Sequence, residues 1–189
     1  MKLNNARLPI LGFAAFSGTG KTTLLVKLLA VLRARGYRVG VVKHAHHSFE
    51  IDKPGKDSYE LRKAGAAQTL VGSRHRWALV AETEREQEPQ LNDLLRHLDQ
   101  NALDFILVEG FKTERFPKIE LYRPSLGHPL LHPDDGSIIA IASDAPLPVK
   151  TSLPLLDLNQ PEGIADFVVE FLVGPDKAQH RASRGQSRP

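Results

Sequence analysis

ILGFAAFSGTGKTT, residues 10–23, joins the apolar run Ile10–Phe16 to a glycine-rich turn and then to the helix-forming run Leu24–Arg35. Strand, glycine turn and helix follow in the order that a phosphate-binding loop requires. Small residues let backbone N–H groups converge on phosphate oxygens, and the start of a helix adds partial positive charge there. Ser17, Gly18, Thr19, Gly20, Lys21, Thr22 and Thr23 are the expected nucleotide-binding residues. Lys21 would reach the outer phosphates, and the Thr22 hydroxyl would ligate a magnesium ion riding on them. The full pattern G-x-x-x-x-G-K-[ST] has Ala15 in place of its first glycine.

Working outward, leucines and valines at 24, 25, 28, 29, 31 and 32 give a helical period over 21–35, and Gly36 closes it. Arg38–Lys43 is a second strand. This βαβ unit predicts a parallel sheet with right-handed crossovers. The polar segment His44–Asp57 follows, at the edge where open α/β sheets bind ligands. Ser58 is the expected cap of a short helix, Tyr59–Ala64. Gln68–Gly72 and Trp77–Glu82 read as an antiparallel pair around a turn at 73–76. Gln90–Leu98, with leucines at 91, 94, 95 and 98, reads as a helix. Phe105–Val108, Ile119–Tyr122, Ile138–Ala142 and Leu155–Leu158 are further strands, Arg123–Gly136 a surface loop, and Pro161–Leu172 a closing helix.

The 189 residues suffice for one domain with a substantial core. We expect a single nucleotide-binding domain over residues 1–174 and a basic tail over 175–189. The tail carries Lys177, Arg181, Arg184 and Arg188 against Asp176. Its net of +3 equals the formal charge of the whole chain, which leaves residues 1–174 neutral. The pI near 9.2 therefore reflects the tail, and no nucleic-acid partner is expected. The absence of cysteine excludes disulfides and thiolate metal sites, and it fits a reducing, cytoplasmic setting. Neither a secretion signal nor a membrane span is legible.

A phosphate loop needs an acidic partner at the end of a neighbouring strand. Glu109, which follows Phe105–Val108 and precedes Gly110, is the candidate; Asp104 stands at the wrong end of that strand. DKPGKDS, residues 52–58, offers Asp52 as a second magnesium-shell ligand or a group that positions water. Lys53 and Lys56 would meet phosphate, although the same residues also make an ordinary hydrophilic turn. His44, His46 and His47 suit either a transition metal or contact with phosphate or a partner. Asp144, after Ile138–Ala142, can accept hydrogen bonds from the N1–H and exocyclic amine of guanine, a donor pair that adenine lacks. The N-K-x-D signature is absent, so an ordinary loop aspartate is the alternative.

These motifs occur together with longer blocks: FAAFSGTGKTTLL at 13–25, VKHAHH at 42–47, DKPGKDSYELRKAGAAQT at 52–69, RWAL at 76–79, ILVEGFK at 106–112 and ASDAPL at 142–147. In them, from about Leu8 to Leu172, the chain resembles the MobB family, bacterial adapter proteins of molybdopterin-guanine dinucleotide biosynthesis. The resemblance implies a P-loop NTPase-like three-layer α/β fold: a mostly parallel sheet, helices on both faces and some antiparallel strands. It implies GTP and Mg2+ as ligands, slow GTP hydrolysis as an accessory activity, and a homodimer formed through the sheet. The implied partner is a MobA-type guanylyltransferase, which joins GMP to molybdopterin, and molybdopterin itself is a further ligand to consider. The family accepts a residue other than glycine at position 15, and its loop roles fall on Gly18, Gly20, Lys21 and Thr22, with Glu109 as acidic partner. Lys21, Glu109 and Asp52 are then the residues expected to support hydrolysis, and Thr22, Glu109 and Asp52 to hold magnesium. Arg62, Arg74 and Arg76 lie in segments that would suit an arginine finger. Two other readings use the same residues: an ATP-dependent small-molecule kinase or ligase, and a molybdopterin carrier in which the nucleotide acts as a switch.

Overall fold

The computed structural model describes residues 3–45, 52–83 and 88–175. The described residues group into two compact units, one drawn from 1–44 and 89–189 and the other from Ala45–Glu88.

The first unit is built on six parallel strands: β1 (Ile10–Ala14), β2 (Val39–Lys43), β5 (Phe105–Glu109), β6 (Lys118–Tyr122), β7 (Ile138–Ser143) and β8 (Leu155–Asp157). Their order across the sheet is β2-β5-β1-β6-β7-β8, and every neighbouring pair runs parallel. Strands β1, β5 and β6 are buried along their whole length. Accordingly β1 and β5 read as near-continuous apolar runs, as expected for a sheet covered on both faces, whereas β6 (KIELY) buries the charged Lys118 and Glu120.

One face packs against α1 (Lys21–Ala34) and α4 (Pro161–Val173), joining Leu11, Phe13 and Leu107 to Leu28, Leu32 and Val168. The other face packs against Leu91 and Leu95 of a shorter helical segment. The sequence expectation of a three-layer α/β fold is met. Gly36, at φ +82°, turns the chain after α1 in the left-handed region that glycine favours.

One expectation in this unit needs correction. In place of a helix over Gln90–Leu98, α3 spans Leu91–Leu94 and passes into a 3-10 turn over Leu95–His97. The carbonyls that would continue the helix are engaged elsewhere. Asn5 Nδ2 donates to Asn92 O at 2.7 Å, and Gln100 Nε2 donates to Leu95 O at 2.9 Å. The segment Arg123–Gly136 lies at the surface as expected, and the interior anchors it. Buried Glu120 accepts the Leu131 and His132 N–H groups at 2.6 and 2.9 Å, and buried Lys118 bonds Asp135 at 2.9 Å.

Lys118 also donates to the carbonyls of Lys112 and Glu114, at 2.9 and 2.7 Å. It crosses β1 at Gly12, where a Cβ would stand 2.8 Å from Lys118 Cγ and 2.5 Å from the Phe116 ring. A glycine is required there by the close approach.

In the second unit, α2 (Asp57–Lys63) is followed by the antiparallel pair β3 (Gln68–Gly72) and β4 (Trp77–Ala81). The pair forms as expected, closed by the Ser73 N–H on Arg76 O at 2.8 Å. The helix starts earlier than expected. Lys56, in extended backbone, is its first flanking residue, so Ser58 lies inside the helix and does not cap it.

Candidate functional site

The turn between β1 and α1 sits at the C-terminal edge of the sheet, and two glycines set its shape: Gly18 at φ +79° and Gly20 at φ +99°. Buried Thr19 stiffens the turn by donating its hydroxyl to Phe16 O at 2.9 Å. No side chain caps α1 at Gly20, so the N–H groups of its first turn lack a capping acceptor. Lys21, at the first helical position, curls back over the turn and donates to Ala15 O at 3.1 Å and Phe16 O at 3.2 Å.

Glu109 ends β5, flanked by β1 and β2, in register with Phe13 on one side and Lys43 on the other. It is 8% exposed. Thr22 Oγ1 donates to its Oε1 at 3.2 Å, and Lys43 Nζ lies 3.5 Å from its Oε2. The next residue, Gly110, is at φ +95°, and a Cβ there would stand 2.7 Å from His44 Cβ. Glycine thus allows the close crossing of the two chain segments beside the carboxylate, with Phe111 itself at φ +54° and its ring 4.9 Å from that of His44.

The electrostatics are those of an anion site. Burial holds Lys21 below the usual lysine range, Lys112 and Lys43 push it further down, and Glu109 opposes them. Lys112 Nζ also lies 5.1 Å over the Phe16 ring, which stacks on His128 at 4.6 Å. Three ammonium groups around one carboxylate favour a ligand with several negative charges. The hydroxyl of Thr22 and the carboxylate of Glu109 are hard oxygen donors of the kind that suit magnesium.

Asp144 lies just past β7, beside a cavity of about 360 Å3. Its carboxylate pairs with Arg123, whose Nε donates to Thr19 O at 2.9 Å. Sequence reasoning missed Arg123 by assigning it to a surface loop. Its only signal was the Arg-Pro step after a buried strand, where proline holds the preceding residue extended, as found at φ −127°.

Lys21, Thr22 and Glu109 therefore come together, and Ser17, Gly18, Thr19 and Gly20 form the turn beside them. Thr23 follows on α1 with its side chain exposed. Asp52 belongs to the second unit, where Arg62 donates to it at 2.9 Å and also bonds Glu82 at 3.1 Å. The hydrogen bond from Arg62 holds the Asp52 carboxyl below its usual range. His46 and His47 lie outside the described residues, as do Lys177, Arg181, Arg184 and Arg188. Among the described residues no three His, Cys, Asp or Glu side chains gather in a metal-binding group.

A strand, glycine turn and helix beside an acidic strand end, on a six-stranded parallel sheet, make a P-loop NTPase-like fold. Residues 10–144 match the family model "Molybdopterin guanine dinucleotide synthesis protein B". The chain is 57% identical over 169 residues to the molybdopterin-guanine dinucleotide biosynthesis adapter protein of Escherichia coli, covering 87% of this chain and 94% of that protein. Its identity to the protein of the same description in Haemophilus influenzae is 42% over 168 residues, covering 89% and 92%. The crystal structure of Bacillus subtilis MobB superposes with a TM-score of 0.69 at 27% identity, covering 89% of this chain and all of that one. The chain belongs to the MobB family.

Proposed function

We propose that the protein is a GTP-binding adapter in molybdenum cofactor biosynthesis, assisting a MobA-type enzyme as it attaches GMP to molybdopterin. The observation that carries this reading is the junction of Lys21, Thr22 and Glu109 in a chain of the MobB family. Lys21 and the backbone of residues 17–22 bind the triphosphate, and the uncapped start of α1 adds its dipole. Thr22 and Glu109 would hold magnesium, which neutralises phosphate charge when bound. Asp144 accepts the guanine edge. Hydrolysis is slow, because phosphate positioning alone leaves transition-state charge uncompensated without an arginine finger. Asp52, the other residue expected to take part, lies in the second unit, where it is paired with Arg62.

The protein works as a homodimer. Leu70, Trp77 and Leu79 lie on one face of the β3–β4 pair, where Leu70 opposes Leu79 and Gly72 opposes Trp77, and all three are exposed. A two-stranded pair with one bare apolar face is marginal alone, and a second copy would cover it. One domain with a basic tail, working in the cytoplasm, completes the reading. Among the described residues no helix is long and apolar enough to cross a membrane.

The test is calorimetric titration of GTP and ATP, with magnesium, into the protein and its Lys21→Ala variant. Magnesium-dependent GTP binding that the variant loses is the expected result. Preference for ATP would replace the adapter reading with a small-molecule kinase or ligase. Purified protein that carries pterin and turns over no nucleotide would replace it with a molybdopterin carrier.

A further inference from the structure

Arg123 has no role in the reading above, yet it is the side chain that joins the two ends of the candidate nucleotide site. It follows β6, and Pro124 fixes its backbone in the extended region. Its Nε donates to the carbonyl of Thr19 inside the phosphate loop, and its NH1 bonds Oδ2 of Asp144. A Cβ on Gly20 would stand 3.8 Å from its NH2 atom, so the guanidinium lies close to the loop backbone. The cavity of about 360 Å3 beside Asp144 is walled by Pro146, Leu147 and Leu156, with Asp157 and Asn159 at its polar side. An apolar wall with a few polar groups suits a planar heterocycle.

We propose that Arg123 is a positioning residue for base recognition: it clamps the Asp144 carboxylate to the phosphate loop, so that a guanine base in this cavity is read in register with its triphosphate. The proposal rests on the guanine role given to Asp144 above. A carboxylate has about four lone-pair sites, so Arg123 on Oδ2 leaves acceptor capacity for the N1–H and the exocyclic amine of guanine. Arg123 keeps the carboxylate from rotating, and its planar fork fixes direction in a way that a lysine ammonium does not. Because the same guanidinium holds Thr19 O, a shift of the phosphate loop moves the base-reading carboxylate with it. The two halves of the nucleotide are thereby bound as one unit.

The experiment is calorimetric titration of GTP and ATP, with magnesium, into the full chain as wild type, Arg123→Gln, Arg123→Lys and Asp144→Ala. The readout is the ratio of the two dissociation constants. Loss of a charge-assisted positioning bond should reduce GTP affinity about tenfold more than ATP affinity in Arg123→Gln. Arg123→Lys should fall between it and wild type, and Asp144→Ala should abolish the preference. Thermal melts confirm that each variant is folded, and the lysine variant keeps the test informative if the glutamine variant is not.

Equal losses for GTP and ATP would overturn the proposal and make Arg123 a support of the phosphate loop alone. An unchanged ratio in both Arg123 variants would overturn it outright. A wild type with no preference for GTP would instead remove the guanine reading on which the proposal stands, whatever the variants did.

Discussion

The parallel-sheet unit and the Ala45–Glu88 unit of this chain differ in how their stability is held. In the first, three strands are buried along their full length, and even charged groups are interior: Lys118 is 0% exposed and bonded to two carbonyls and a carboxylate. In the second, no residue over 52–83 is buried, and α2 has no interior side chain. Its apolar residues are as large as those of the core, but they face outward. One region completes its contacts within its own chain, whereas the other presents contacts for something else to complete. Preorganised donors suit binding chemistry, which is proposed for the first, and the proposed dimer contact lies on the second.

The sharpest way to break this contrast is to damage each region and read both properties. Lys118→Ala leaves Asp135 without its cation in a largely buried setting, which should cost about 3 kcal/mol of stability in urea unfolding. The figure sits at the low end for a broken buried pair because Asp135 keeps part of its side chain in water. An unchanged unfolding midpoint would mean that the interior network carries no weight. Next in size, Leu70→Asp with Trp77→Asp should weaken self-association about a hundredfold in sedimentation equilibrium. GTP affinity should stay as in wild type. If the nucleotide affinity falls along with the dimer, the division of labour between the units is wrong.

The smallest effect is the dependence on pH. The Lys21 ammonium is held below its ordinary value of 10.5, and bound phosphate would raise it again. GTP affinity should therefore fall as pH rises from that lowered value towards 10.5, by up to about tenfold per unit of displacement. Affinity that stays flat over this alkaline window would remove Lys21 from the phosphate contact. The double hairpin variant should show the same profile as wild type, since its substitutions lie in the other unit.

Much of the first unit was legible because its signals are local. The glycine pattern at 18 and 20, the period of leucines over 24–32 and the continuous run Phe105–Val108 each report a short-range constraint. Glu109 was readable for the same reason, as the acidic end of a buried strand. What was not legible depends on partners distant in sequence. The helix over Gln90–Leu98 was shortened by Asn5 and Gln100, which take carbonyls that no local pattern could assign elsewhere. Arg123 looked like the start of a loop, because its partners, Thr19 and Asp144, lie 104 and 21 residues away. Buried Glu120 was hidden in the same way: its backbone partners come from a Pro- and His-rich stretch that locally reads as surface. Side-chain bonds to a distant backbone leave no periodicity, and so they escape a reading based on spacing.

Trp77 is the chain's one tryptophan, and it stands 65% exposed on the bare face of the β3–β4 pair. Light absorbed at the red edge of the protein spectrum is thus emitted from a single place, and that place is the hairpin surface. The molecule carries its own optical label for whatever covers that surface. Coverage would shift the emission to the blue without any dye, tag or engineered residue.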